Sequence, residues 1–133
     1  MDKPPSNAIL NMPILVVDDH RPMLKLVEAQ LHSLGFTDVD TELDSASALT
    51  RARRRRYGAI LSDWNMAPIS GLSLLKSLRA DPEHGAVPFI LVTAEAAPEN
   101  VLAAKAAKVS GYIVKPFDAA QLKAKLTAVL GPF

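Results

Sequence analysis

Four short apolar runs, each closing on a polar residue, constrain this chain more than any other feature. They read Ile14-Leu15-Val16-Val17 before Asp18-Asp19, Ile60-Leu61-Ser62 before Asp63, Phe89-Ile90-Leu91-Val92 before Thr93, and Tyr112-Ile113-Val114 before Lys115-Pro116. Runs this short, bounded by turn residues, fit strands buried on both faces of a parallel sheet. Open parallel sheets bind ligands at the carboxyl ends of their strands. The pattern therefore gathers three carboxylates, a hydroxyl and an ammonium at one edge.

Between these runs the periodicity changes to that of helices. Pro22 sits in a first helical turn, Leu24, Val27, Leu31 and Leu34 follow at helical spacing, and Gly35 stands where a C-terminal cap belongs. Val39, Thr41 and Leu43 alternate with Asp38, Asp40 and Glu42, as in a half-exposed strand whose charges suit a sheet edge. A second helix is expected from Asp44 or Ser45 to the arginines near Arg55. A third, capped by Ser70, carries Leu72, Leu75 and Leu78 up to Asp81-Pro82. A fourth opens near Pro98 and runs to Ala107. The last starts at Asp118 with Gln121 as capping-box partner and buries Leu122, Leu126, Val129 and Leu130. Five strands and five helices in strict alternation predict an α/β doubly wound sandwich with right-handed crossovers. Residues 1–12, rich in proline, serine and asparagine, are expected to form a flexible tail ahead of one domain over 13–131.

A length of 133 residues at 49% hydrophobic content suits one core. The net charge of +1 exerts no global pull toward nucleic acid or membrane. With no cysteine, disulfides and thiolate metal sites are excluded. The first residues lack a secretory layout, and no apolar stretch approaches the ~18 residues a spanning helix needs, so a cytoplasmic protein without membrane insertion is expected.

Crowded carboxylates repel one another unless a cation shares their site. A hard divalent ion that takes oxygen ligands is the economical answer, and Mg²⁺ fits best, with Asp19 and Asp63 as direct ligands and Asp18 bound directly or through water. A carboxylate can also attack phosphorus to give an aspartyl phosphate. Such transfer needs mainly positioning and charge neutralisation, which a metal, a lysine and a hydroxyl supply. The plainer alternative is that acidic residues follow strands because loops are polar.

Val16-Val17-Asp18-Asp19, Ser62-Asp63-Trp64-Asn65-Met66, Val92-Thr93-Ala94-Glu95-Ala96 and Ser110-Gly111-Tyr112 running into Val114-Lys115-Pro116-Phe117 together resemble the receiver domain of two-component response regulators, in its CheY-like single-domain form. The resemblance spans Pro13–Leu130 and implies a five-stranded flavodoxin/CheY-like sheet of order 2-1-3-4-5. It implies Asp63 as phosphoacceptor from a phosphohistidine kinase, a histidine phosphotransferase or a small phosphodonor. It further implies Mg²⁺ held by Asp18, Asp19, Asp63 and the backbone carbonyl of Asn65. Lys115 and Thr93 would contact the phosphoryl oxygens, and a cis bond would join Lys115 to Pro116. Asn65 and Glu95 match positions that tune self-dephosphorylation. Thr93 and Tyr112 match a switch pair that reports to a protein target on the helix from Pro98, the last strand and the last helix, where Val101 and Lys125 suit the expected character.

The chain departs from the family pattern in places. Ala67 precedes Pro68 where proline usually stands one residue earlier, and Ser70 replaces an Asp or Asn before Gly71. Lys108 occupies a position where glycine commonly ends a helix, at a cost of roughly 1 kcal/mol if its φ is positive. Pro98 and Lys105 alter the output face, so the chemistry looks intact while partner choice, including any flagellar motor partner, looks different.

Arg51, Arg53, Arg54, Arg55 and Arg56 crowd one helix end ahead of Tyr57. The plain reading is a solvated run opposing the helix dipole. The sharper one is a binding module for an anionic ligand, a cyclic dinucleotide, nucleic acid or an acidic protein, using arginine forks and a stacking Tyr57. A Mg²⁺-dependent phosphohydrolase is a further alternative, but it wants Asp-x-Asp where Asn65 stands. His20, His32 and His84 show no ligand spacing, although His20 adjoins Asp19; Trp64 is placed to report on Asp63. With Phe133 last, no DNA-binding domain is expected, unless the chain is a fragment of a larger regulator.

Overall fold

The computed structural model describes residues 7–94 and 97–133. Its strands are β1 (Ile14–Val17), β2 (Val39–Glu42), β3 (Ala59–Asp63), β4 (Phe89–Thr93) and β5 (Gly111–Val114). They form one parallel sheet of order β2-β1-β3-β4-β5. Every residue of β1, β3 and β4 is buried, which is why these strands are apolar up to the Ser62, Asp63 and Thr93 at their carboxyl ends, whereas β2 at the edge is half-buried and alternates.

Period-two geometry sends neighbouring strand residues to opposite faces. Ile14, Val16, Leu61, Ile90 and Ile113 meet α2 (Arg21–Ser33) and α6 (Ala119–Leu130) on one side. Leu15, Val17, Ile60, Phe89 and Leu91 meet α3 (Ser45–Arg54), α4 (Gly71–Arg79) and α5 (Pro98–Ala106) on the other. Asp44 caps α3 through Ser47 N–H, Ser70 caps α4 through Ser73 N–H, and Asp118 with Gln121 closes a full capping box on α6. Gly35 at φ 108° ends α2 in a Schellman motif, its N–H donating to the His32 carbonyl and that of Phe36 to Leu31. Lys108 performs the same task after α5 at φ 63°, a left-handed conformation that a lysine adopts at a cost.

Two expectations need correction. The loose tail to residue 12 differs over its described part, since Asn7–Leu10 form a helical turn, α1, which makes six helices among the described residues where five were expected. The cause is burial: Ile9 enters the core, and Leu10 and Met12 pack against it. Residues 1–6 lie outside the described residues. The expected strand through Leu43 stops at Glu42, because Asp44 turns the chain into the α3 cap. Among the described residues, no helix is long and apolar enough to cross a membrane.

Candidate functional site

At the carboxyl edge of the sheet, β1 runs out at Asp18-Asp19 and its neighbour β3 ends on Asp63. Because Val17 pairs with Ser62 in register, the acids lie side by side. Carboxylate oxygens of Asp18, Asp19 and Asp63 all fall within 4.8 Å of one another. Asp18 and Asp63 are buried while Asp19 is exposed. Lys115, one residue past β5, crosses β4 to reach them; its Nζ donates to Asp63 Oδ1 at 3.1 Å and to Asp18 Oδ2 at 3.4 Å. Burial pushes the Asp63 carboxyl above its ordinary value. Lys115 pulls it back, and the Asp18 and Asp19 charges push it up again. One ammonium thus faces three carboxylates. The donor set is all oxygen, which suits a hard divalent cation rather than a soft one.

Thr93 closes β4 beside Val92, the register partner of Asp63, and is 7% exposed. Its carbonyl accepts the Lys115 N–H at 2.7 Å, so the residue that ends β4 also anchors the lysine backbone. The Lys115–Pro116 bond is cis, as expected, and so is Ala67–Pro68. Asn65 lies exposed in the loop after β3, two residues beyond Asp63. Glu95 lies outside the described residues. Tyr112 on β5 is half-buried against the α3–α5 side, with the Lys125 ammonium of α6 5.8 Å from its ring centre. Around it, α5 and β5 leave Leu102 and Val114 exposed, with Lys105 exposed between them and Val101 half-buried.

Three contributors escaped sequence reading. Asp18 is steered by the His20 backbone N–H, which donates to its Oδ1 at 2.9 Å. Ser45 is fully buried, and its Oγ accepts from Ile69 N–H at 3.0 Å, tying the loop after Asp63 to α3. Gly71 opens α4 where a Cβ would stand 2.2 Å from the Asp63 carbonyl oxygen. Its one sequence signal is a glycine directly after an N-cap serine, where helix propensity gives no reason for it. His84 lies in the turn after α4, its side chain largely buried and its Nδ1 3.4 Å from Asp81.

The arginine run has partners of its own. Arg51 pairs with Glu42 and Asp40, Arg53 with Asp81, and Arg55 with Asp38 and Asp40. Arg56 donates to the Glu83 carbonyl. The Tyr57 hydroxyl donates to Asp40; burial and that bond together push the phenol up to about 12.

Against known families, residues 14–127 match the response regulator receiver domain. The chain is 43% identical to chemotaxis protein CheY-3 of Vibrio cholerae over 124 residues, 92% of this chain and 95% of that relative. It is 37% identical to chemotaxis protein CheY of Pseudomonas aeruginosa over 118 residues, covering 89% and 95% of the two chains. Among solved structures it superposes on chemotaxis response regulator CheY4 of Vibrio cholerae with a TM-score of 0.84 at 32% identity, covering 90% and 99%. The receiver domain of sensor histidine kinase PA1611 from Pseudomonas aeruginosa, with a magnesium ion coordinated in its active-site cleft, matches with a TM-score of 0.83 at 33% identity, covering 91% and 98%.

Proposed function

The chain belongs to the response regulator receiver domain family, and from that membership we propose that Asp63 is its phosphoacceptor, with Lys115 and Thr93 as the groups that meet the transferred phosphoryl oxygens. One observation carries the assignment: the Lys115 ammonium sits 3.1 Å from Asp63 Oδ1 and 3.4 Å from Asp18 Oδ2, inside a cluster of three carboxylates.

An Asp63 oxygen attacks phosphorus, forming the new P–O bond of an acyl phosphate. The P–N bond of a donor phosphohistidine breaks, and the imidazole leaves with a proton. A histidine kinase or histidine phosphotransferase supplies that donor, and acetyl phosphate replaces it with acetate as leaving group. Asp18, Asp19 and Asp63, whose carboxylates converge, together with the Asn65 carbonyl would hold Mg²⁺, which when bound would supply charge neutralisation at the phosphoryl oxygens. Lys115 delivers a fixed positive charge from the β5 side, and Thr93 offers its hydroxyl from β4. Asn65, two residues beyond Asp63, and Glu95, two residues beyond Thr93 in the sequence, tune the lifetime of the acyl phosphate.

Output follows from a local charge change acting on a two-state packing arrangement. When Thr93 moves toward the phosphoryl group, Tyr112 turns inward and the α5–β5–α6 face changes shape for a protein target. The chemotaxis names of the relatives support motility signalling in the cytoplasm as the setting. The exposed Lys105 marks this face as selective among targets. The anionic-ligand reading gains no support, because Arg51, Arg53 and Arg55 already pair with carboxylates.

Incubation with acetyl phosphate, with and without Mg²⁺, read by intact mass, tests the assignment. One labile phosphoryl adduct is expected with Mg²⁺ and none in Asp63→Asn. Lys115→Ala should slow its formation by roughly 10–100-fold, the weight of a charge-assisted hydrogen bond. A normal adduct on Asp63→Asn, or none on the wild-type protein, overturns it.

A further inference from the structure

We propose that Gln30 is a positioning residue for Lys115, holding the loop that carries the lysine ammonium to Asp63. The inference rests on the reading of Lys115 as the phosphoryl partner.

Gln30 lies on α2 beside the stripe of Leu24, Val27 and Leu31 that enters the core. Its Nε2 donates to the Phe117 carbonyl at 3.1 Å, a contact between residues 87 apart in sequence. Its Oε1 is buried without a hydrogen-bond partner among the described residues. The amide orientation follows from chemistry, since a carbonyl accepts only and must face the NH₂ group. A residue that strands one buried polar atom to make one hydrogen bond gives little net stability, and a leucine would remove the stranded oxygen while leaving the Phe117 carbonyl without its donor, a near-even exchange. The reason for a glutamine is therefore to be sought in the carbonyl it holds.

That carbonyl belongs to the residue two positions after Lys115. Upstream, the Lys115 N–H is held by the Thr93 carbonyl. Downstream, Asp118 enters the α6 capping box. The Phe117 ring is buried in the core, and Gln30 ties its carbonyl to α2. The lysine backbone is thus clamped between β4, α2 and α6. A long flexible side chain gains precision at its tip only if its root is fixed, and sub-ångström placement matters to the transfer step.

Two affinities separate positioning from plain packing. Lys115 meets the phosphoryl group, whereas the aspartates hold the metal. Gln30→Leu is therefore expected to lower the affinity for beryllium trifluoride, a phosphoryl mimic, and the acetyl phosphate rate by about three- to tenfold, as for one lost hydrogen bond acting through a neighbour. Mg²⁺ affinity and Tm should stay close to the wild-type values, since the lost stranded oxygen offsets the Phe117 carbonyl left without its donor. Gln30→Lys, which keeps a long donor, should restore most of the rate, and in a Lys115→Ala background Gln30→Leu should change the rate by less than twofold. An unchanged rate in Gln30→Leu overturns the proposal. So does a parallel fall of Mg²⁺ affinity, mimic affinity and Tm, or an undiminished effect without Lys115. If the wild-type protein takes neither phosphoryl group nor mimic, the phosphoacceptor reading fails, and this inference fails with it.

Discussion

Gly71→Ala is the perturbation whose cost can be worked most directly from the geometry. An added Cβ would lie 2.2 Å from the Asp63 carbonyl oxygen and 3.0 Å from both its carbonyl carbon and Leu91 Cδ2. Restoring even a tight contact requires the atoms to part by roughly 1 Å. Backbone φ is not at issue, because Gly71 has no left-handed conformation; the conflict is steric alone. The clash meets backbone rather than the free end of a side chain, which places it toward the top of the ~1–3 kcal/mol typical of overpacking. Alanine's helix propensity returns at most ~1 kcal/mol. A net loss of about 2 kcal/mol, at roughly 3–5 °C per kcal/mol for a chain this size, lowers Tm by about 6–10 °C. The displaced atom belongs to the proposed phosphoacceptor itself, and a ~1 Å error in a reacting group costs on the order of 10²-fold in rate. Thermal unfolding by circular dichroism and acetyl phosphate labelling by intact mass read the two effects. Gly111→Ala is the control, because the nearest atoms to its Cβ belong to the flexible Lys125 side chain and to Val129, at 3.2 and 3.3 Å, and it should be tolerated. A Gly71→Ala protein with normal Tm refutes the steric account. A lowered Tm with a normal labelling rate refutes the link to Asp63.

Other expectations can be checked on the same material. Burial raises the Asp63 carboxyl, so the folded chain holds that proton more tightly than the unfolded chain, and ionisation costs stability above the folded value. In chelator-treated buffer Asp63→Asn should therefore melt higher than wild type at neutral pH, with the gap closing as pH falls toward the ordinary carboxylate range; a gap that widens on acidification contradicts this. Mg²⁺ should raise the wild-type Tm and leave Asp63→Asn nearly unmoved. Lys108→Gly removes a left-handed strain of ~1–2 kcal/mol against ~0.5–1 kcal/mol of added unfolded-state entropy, so Tm should rise by a few degrees rather than fall. Titrating a cyclic dinucleotide into the protein should release no heat in calorimetry; saturable heat lost in Arg51→Gln would revive an anion site on α3.

What could be read in advance was whatever a residue and its near neighbours settle between themselves. Ile14-Leu15-Val16-Val17 is apolar on both faces because a central parallel strand is covered on both, and the caps at Asp44, Ser70 and Asp118 act within three residues. The edge chemistry was legible for the same reason, since strand ends on a common edge bring Asp18, Asp63 and Lys115 together whatever the loops do. Contacts that depend on distant partners were not legible. Ile9 looks like a tail residue until the core receives it, and Gly58, against which Met12 packs, lies 46 positions away from that methionine. Gly71 carries no signal of the Asp63 carbonyl beneath it, and Gln30 reads as one more polar helix residue until Phe117 arrives from the far end of the chain.

The arginine run shows how a strong compositional signal is consumed by geometry. Arg51 on α3 and Arg55, the extended residue that caps its C-terminus, are four apart, so their backbones lie about 6 Å apart along the helix axis. Alternate residues of a strand lie about 6.6 Å apart on one face. Asp38, Asp40 and Glu42 follow that spacing along the edge at β2, and the crossover sets α3 antiparallel to it. Arg51 accordingly meets Glu42 and Asp40, while Arg55 meets Asp40 and Asp38. Burial alone would raise the shared Asp40 carboxyl, yet the Tyr57 hydroxyl and the two guanidinium groups hold it below its ordinary value. The ladder charges the open edge of the sheet, which disfavours pairing with another strand there. Cations and carboxylates are nearly matched along this edge. At the carboxyl ends of β1 and β3 they are not: one ammonium answers three carboxylates, and that imbalance, rather than the conspicuous basic run, supports the proposal that a cation and a phosphoryl group are taken on there.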